Sequence, residues 1–242
     1  MTSIGILGSE GRMGRTIAQI AGDLGVTVAG GIDADGDPLA LAGRSDVLVD
    51  FTAPSALEAN LDAACRAGTP IVVGTTGLNQ THHDLVDRAA ARIAVLQTGT
   101  TSLGIVLLSR LVAEAAERLG PEWDIEVIET HHRHKVDAPS GTALMLGEAA
   151  AEGRGAALAD LSVVDRAGLI GARAEGTIGF SSIRGGSVAG DHLVIFAGPG
   201  ERLELGHRAD SREMFARGAI RAALWLAGRP AGRYTMAEVL GL

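Results

Sequence analysis

The first thirty-three residues leave little choice of fold. Ile4 to Leu7 is a short apolar run, followed by Gly8-Ser9-Glu10-Gly11-Arg12-Met13-Gly14 and then by a helical pattern through Leu24. A strand that enters a glycine turn and leaves as a helix is the opening unit of a parallel βαβ sheet. The spacing GxxGxxG differs from the commoner GxGxxG, but the physical demand is shared. A side chain at Gly8 or Gly11 would obstruct the backbone where it meets a pyrophosphate, and the helix start offers N–H groups to the anion. Val26 to Ile32 reads as a second strand ending in Asp33, nineteen residues after Gly14. Dinucleotide-binding folds place an acid there, on the adenosine ribose hydroxyls.

The alternation continues. Asp46–Phe51, Pro70–Val73 and Ile93–Leu96 read as strands, and Pro54–Ala67 as a helix between the first two of them. The expected fold is α/β, a doubly wound, Rossmann-like parallel sheet. Gly74-Thr75-Thr76-Gly77 follows the fourth strand, where open α/β sheets bind ligands, and its hydroxyls and bare N–H groups suit a ribose or a nicotinamide amide. His82 and His83 flank the next helix and read as solvated surface. Asp33 is followed by Ala34, with no Arg or Lys before Arg44. A carboxylate without a nearby cation repels a 2'-phosphate, so NADH is favoured over NADPH, unless Arg12 or Arg44 reaches in.

After a long amphipathic helix, Leu103–Leu119, the pattern changes. Asp124–Glu129 alternates like a strand, a helix runs from Thr142 to about Glu152, and Leu161–Val164, Thr177–Ser182, His192–Ala197 and Glu201–Arg208 read as strands. This is an α+β unit with an open sheet. Leu203, Leu205 and the run Leu193–Phe196 offer it a face that needs a cover. Ser211 can cap a last helix to Ala227. The expected domains are 1–102, completed by 211–242, and 103–210.

Within Glu126–Ala143, EVIETHHRHKVDAPSGTA, three histidines, a lysine and an arginine stand beside three acids. His131, His132 and Lys135 are expected just past the strand, on an irregular segment where their tips converge. Pro139 precedes Ser140-Gly141-Thr142, so a helix opens there with free N–H groups and hydroxyls, a setting for a carboxylate or phosphate. Lysine, histidines and a helix N-terminus together would hold a small dianion, and histidine titrates near neutral pH. Zinc fits poorly, since adjacent histidines on a strand point apart and HxxxH and CxxC spacings are missing.

Composition narrows the partners. A formal charge of -8 argues against general affinity for nucleic acid or anionic membrane. No apolar run reaches the roughly 18 to 20 residues that span a bilayer. The single Cys65 can form no internal disulfide, and no secretory n- and h-region precedes the first strand, so a cytoplasmic location is expected.

EVIETHHRHKVDAPSGTA resembles the signature of the 4-hydroxy-tetrahydrodipicolinate (dihydrodipicolinate) reductase family. The similarity extends to Gly11–Gly14, Val49–Thr52, Val72–Gly77, Gly179–Gly186 and Phe196–Arg202. It implies a homotetramer whose first domain binds NADH or NADPH and whose second binds a cyclic dicarboxylate, in the diaminopimelate route to lysine. It implies proton transfer by His131 and Lys135, and substrate contacts at His132, Ser140, Gly141 and Thr142. It implies cofactor contacts at Gly8, Ser9, Glu10, Gly11, Arg12, Met13, Asp33, Gly74, Thr75, Thr76, Thr98, Gly99, Thr100 and Thr101, and closure about Thr98–Leu103 and near Ser211. Two departures stand out. Thr100-Thr101-Ser102 replaces the Asn-Phe-Ser usual in relatives, and the chain between Asp33 and Asp46 is short. Glu10 in the turn is tolerable only if its side chain points away from a pyrophosphate. A related amino-acid or oxo-acid dehydrogenase and a non-catalytic NAD(H) sensor are the alternatives.

Overall fold

The computed structural model describes residues 2–164 and 166–242. The chain divides into two compact units, Met1–Leu103 with Glu213–Leu242, and Gly104–Arg212.

In the first unit, β1 (Ser3–Leu7) leads through the glycine turn into α1 (Arg12–Asp23), which buries Gly14, Ile17, Ile20 and Ala21 along one stripe. β2 (Thr27–Ile32), β3 (Val47–Asp50), β4 (Ile71–Val73) and β5 (Ala94–Gln97) follow, with α2 (Pro38–Ala42), α3 (Leu57–Ala67) and α4 (Gln80–Ala90) between them. The short α2 was not anticipated. Its signal is local: Pro38 stands at the first helical position, and the Asp37 carboxylate accepts from the N–H groups of Leu39 and Ala40. The helix expected from Pro54 begins as a separate 3-10 turn, Pro54–Ala56. His82 closes a capping box with Asn79, so it serves the helix start.

A second β-bearing segment lies at the far end of the chain. α8 (Glu213–Leu226) packs on α1 and on β3, β4 and β5, and β11 (Gly232–Tyr234) then adds a parallel strand beside β5. α9 (Met236–Leu240) ends the chain behind a Thr235–Glu238 capping box. The sheet order is β11-β5-β4-β3-β1-β2, with every pairing parallel. From β1 the chain passes to β2 on one side and β3 on the other, so the order switches between β1 and β3, where such sheets open a crevice. Leu7, Leu48, Leu57, Ile71, Val73 and Val95 form part of the buried cluster on one face.

The second unit is a mixed five-stranded sheet, β10-β9-β6-β8-β7, made of β6 (Asp124–His131), β7 (Ser162–Val163), β8 (Ile178–Arg184), β9 (Asp191–Gly198) and β10 (Glu201–Arg208). Its helices are α5 (Leu103–Leu119), α6 (Gly141–Gly153) and the short α7 (Leu158–Leu161). The strand expected over Leu161–Val164 is thus mostly α7, with two strand residues behind it. α6 buries Ala143, Leu146, Gly147 and Ala149 to Ala151, small groups that allow close approach to the sheet. Leu108, Val112, Val127, Phe180 and Phe196 complete this core.

Register corrects two expectations. β6 runs to His131, so His131 lies on the strand and only His132 and Lys135 lie beyond it. β9 and β10 also do not offer Leu193–Phe196, Leu203 and Leu205 as one face. Leu203, still 38% exposed, pairs with Phe196 and Leu205 with Val194, on the face whose Val194 and Phe196 are buried, whereas Leu193 and Ile195 stand opposite Ile128 and Glu126 on the other.

Candidate active site

β6 alternates between the two faces, and its inward positions are Ile125, Val127, Glu129 and His131. An acid among such residues is costly unless its charge is matched. Glu129 is 1% exposed, and the match comes from the next strand. Its register partner is Ser182, and Arg184 stands opposite His131. The Arg184 guanidinium grips the carboxylate with both ends, Nη1 donating to Oε2 at 2.7 Å and Nη2 to Oε1 at 2.6 Å. The Ser140 N–H donates to Oε1 at 3.2 Å, and His131 Nδ1 lies 2.5 Å from Oε2. Burial alone would push Glu129 up, but hydrogen bonds from Arg184, Ser182 and His131 hold its carboxyl at about 2. An ionised Glu129 therefore accepts a hydrogen bond from His131 Nδ1–H, which leaves Nε2 as that ring's free nitrogen.

A second histidine stands against the first. His192 is 6% exposed, and its ring meets that of His131 edge-on, with centroids 5.1 Å apart. Burial first, and then the nearby His131, push it down to about 4. His192 is therefore neutral at neutral pH, and its Nε2 lies 3.3 Å from Ser140 Oγ. Ser140 Oγ also accepts from the Ala143 N–H and so caps α6. The exposed Gly141 and half-buried Thr142 open that helix.

Past the strand, the His132 N–H donates to Val188 O, and the Lys135 N–H to His132 O at 3.1 Å. Lys135 Nζ reaches Asp137 Oδ1 at 2.7 Å, which lowers the Asp137 carboxyl. Burial and then the Arg212 guanidinium, 3.4 Å from Nε2, push His132 below the usual histidine range. His131 and the start of α6 thus bond Glu129 directly, and Lys135 joins them through Asp137, whose backbone oxygen accepts from Arg184 Nη2 at 2.7 Å. A cation, a histidine with a fixed tautomer and a helix N-terminus can hold a carboxylate and hand over a proton.

The first unit holds a different site. A cleft of about 620 Å³ is bounded by Gly8 and Gly11, by Asp33 and by Thr52 and Asn60. Gly8 has φ +82°, and a Cβ there would fall 2.8 Å from Phe51 O. A Cβ at Gly14 would fall 2.2 Å from Gly8 O. Only glycine permits this turn, and it leaves the backbone bare in front of α1. Asp33 Oδ2 accepts from Ser9 Oγ and from the Glu10 N–H, both at 2.9 Å, so the acid also braces the turn. The Glu10 side chain pairs with Arg15 at 3.0 Å, which accounts for an acid in this position. Arg12 is exposed and Met13 half-buried at the start of α1. These features fit a dinucleotide: a cradle that a Cβ would fill, an unshielded helix N-terminus, and a carboxylate whose second oxygen stays available.

The remaining cofactor candidates split between exposed backbone and committed side chains. Thr76 and Gly99 are exposed, whereas Thr75 is 3% exposed and its hydroxyl bonds Asp50. Thr98 Oγ1 donates to Thr100 O at 2.6 Å and accepts from the Thr100 N–H, and Thr101 Oγ1 donates to Phe215 O. Sequence reasoning missed Glu129, Arg184, His192 and Asp137. For the first two a signal existed: a charged residue at an inward position of each of two strands.

Residues 2–100 match the family model described as dihydrodipicolinate reductase, N-terminus, and residues 104–240 the one described as dihydrodipicolinate reductase, C-terminus. A 4-hydroxy-tetrahydrodipicolinate reductase of Zymomonas mobilis subsp. mobilis is 52% identical, with 99% of this chain and 97% of that one covered. One from Brucella abortus is 46% identical, with 98% of each covered. The solved structure of dipicolinate-bound dihydrodipicolinate reductase from Paenisporosarcina sp. TG-14 shares the fold, with a TM-score of 0.75 at 22% identity over 97% of both chains.

Proposed function

Because this chain belongs to the dihydrodipicolinate reductase family, we propose that it reduces 4-hydroxy-tetrahydrodipicolinate to tetrahydrodipicolinate with loss of water, in the diaminopimelate route to lysine. The observation that carries the reading is the His131–Glu129–Arg184 framework with Lys135 and the start of α6 beside it. It is a site for a small dicarboxylate that must receive a proton.

NAD(P)H, held at the glycine turn and Asp33, would supply the hydride that the ring accepts. Lys135 and the N–H groups of Gly141 and Thr142 hold the ring carboxylates, with His132 beside them, and so stabilise negative charge that spreads toward the ring nitrogen. One proton then balances the reduction, and it comes from His131 Nε2 or Lys135 Nζ. Glu129 keeps the His131 proton on Nδ1 while the ring is neutral and steadies the charged form when Nε2 gains a second proton. His192, held neutral, adds no charge that would oppose this.

The turn residues Gly8 to Met13, Asp33, the Gly74–Thr76 loop and the Thr98–Thr101 segment hold the dinucleotide, the last two through backbone groups. NADH is preferred. Asp33 is followed by Ala34 with no Arg or Lys before Arg44, and the Arg44 guanidinium lies over Gly30, where a Cβ would fall 2.7 Å from Nη2. The sheet face that bears Ile128, Ile183, Leu193 and Ile195 packs on further copies of the chain to form a homotetramer. No described helix is long and apolar enough to cross a membrane, and the pathway reading places the enzyme in the cytoplasm.

The test is oxidation of NADH and of NADPH with the condensation product of aspartate semialdehyde and pyruvate. Turnover that prefers NADH supports the reading. Binding of NADH with no turnover on this substrate overturns it in favour of a sensor or another oxo acid.

A further inference from the structure

Strand β3 ends in a buried acid that neither binding nor proton transfer has yet used. Asp50 is 0% exposed and lies where the strand order switches between β1 and β3. No cation bonds it among the described residues. Oδ1 accepts from the Thr52 N–H at 2.9 Å, Thr52 Oγ1 at 2.6 Å and Thr75 Oγ1 at 3.1 Å, and Oδ2 accepts from Asn60 Nδ2 at 3.1 Å. A buried carboxylate held by neutral donors is an expensive choice where an apolar residue would pack. What it provides is acceptor capacity at one point for three separate stretches of chain.

Two of those stretches wall the dinucleotide cleft, and the third is the loop behind them. Thr52 and Asn60 line the cleft, and Thr75 belongs to the loop after β4. The Thr75 hydroxyl bonds on both sides, donating to Asp50 and accepting from the Thr52 N–H at 3.1 Å. Phe51, between Asp50 and Thr52, extends the same linkage. Its carbonyl oxygen abuts Gly8, and its ring lies against Gly74, where a Cβ would fall 2.4 Å from Cζ. The turn after β1, the turn after β3 and the loop after β4 are therefore set against one another through Asp50 and its neighbour.

We infer that Asp50 is a positioning residue for the dinucleotide. It need touch no ligand. It holds the Thr52 turn and the Gly74–Thr76 backbone at the spacing at which their N–H groups and the bare turn at Gly8 meet one cofactor. The inference rests on the reading of the first unit as the dinucleotide site. Asn at this position keeps the shape but turns an acceptor into a donor. The Thr52 N–H cannot accept, so the new NH2 must face Asn60, which can receive it only by turning its own amide over and giving up its bond to Thr52 Oγ1. The expected result is a displaced loop in a folded protein.

The experiment titrates wild type, Asp50→Asn, Thr75→Val and Thr75→Ser with NADH by fluorescence and with pyridine-2,6-dicarboxylate by calorimetry. Asp50→Asn and Thr75→Val should each raise the NADH Kd by about tenfold and leave the dicarboxylate Kd within about twofold. Thr75→Ser, which keeps the hydroxyl, should restore NADH binding. In turnover, KM for NADH should rise while KM for the cyclic substrate stays. An Asp50→Asn protein that binds NADH like wild type overturns the inference. So does loss of both affinities together with a lower Tm, which would make Asp50 merely structural. If Asp50→Asn does not fold, the Thr75→Val and Thr75→Ser pair decides in the same way. A wild type that binds no dinucleotide overturns the cofactor reading itself, and this inference with it.

Discussion

At the glycine turn the groups that face a ligand are backbone, and the acid beside them, Asp33, is exposed. At the end of β6 the groups are side chains, and the acid at their centre is 1% exposed. The first site works by leaving things out: no Cβ at Gly8 or Gly14, and no cation next to Asp33. The second works by having every partner present, because each buried charge is tolerable only through the others. A backbone site should fail when atoms are added, and a buried-charge site when one is taken away.

The sharpest way to break this contrast is at Glu129. Glu129→Gln strips the half-buried Arg184 and His131 of the buried anion that joins them and should cost about 3–5 kcal/mol, read by urea unfolding. A loss below about 1 kcal/mol, within the range of exposed pairs, would show that Arg184 is well solvated and the contrast false. Next in size is Lys135→Ala. This side chain is 21% exposed and, among the described residues, pairs with Asp137, itself 52% exposed. kcat/KM should fall by about 10²–10⁴-fold with little change in Tm, as for a proton donor or carboxylate clamp.

On the other side, Gly8→Ala adds one methyl group to a backbone at φ +82°. The strain, about 1–3 kcal/mol, should appear as weaker NADH binding. Dicarboxylate affinity should not change, and a parallel loss of both would sink the division of labour. Acid sharpens the comparison further. Folded His192 titrates at about 4 against an ordinary 6.5, so unfolded chains bind the extra proton first, and stability is lost as pH falls from 6.5 toward 4. Glu129, at about 2 against 4.5, adds a further loss as pH falls from 4.5 toward 2. Tm across this range should decline in both windows. In Glu129→Gln the lower window should vanish. The smallest effect expected is at Ala34, where Ala34→Arg should move the NADH to NADPH ratio of kcat/KM toward NADPH without touching substrate KM.

What was legible in advance follows the same division. The parallel sheet and the turn could be read because strand, glycine and acid occur within thirty-three consecutive residues. His131, Lys135 and Ser140 to Thr142 stood out because they are neighbours in the chain. Glu129 and Arg184 lie fifty-five residues apart, and only the register that sets Arg184 opposite His131 brings them together. His192 met His131 in the same way, through the antiparallel pairing of β9 with β6. β11 was missed because three residues after a helix carry almost no periodicity, and their place beside β5 is a tertiary fact. Asp50 falls within the Val49–Thr52 motif, where nothing in the neighbouring residues marks its role. A buried acid at a strand end declares its purpose only once Asn60 and Thr75 are seen to converge on it.

The most direct test of the division between the units is calorimetric titration of wild type and Lys135→Ala with NADH and with pyridine-2,6-dicarboxylate. The account predicts that the variant loses at least about tenfold in dicarboxylate affinity and keeps its NADH affinity. Unchanged dicarboxylate binding, or a loss confined to NADH, would contradict it.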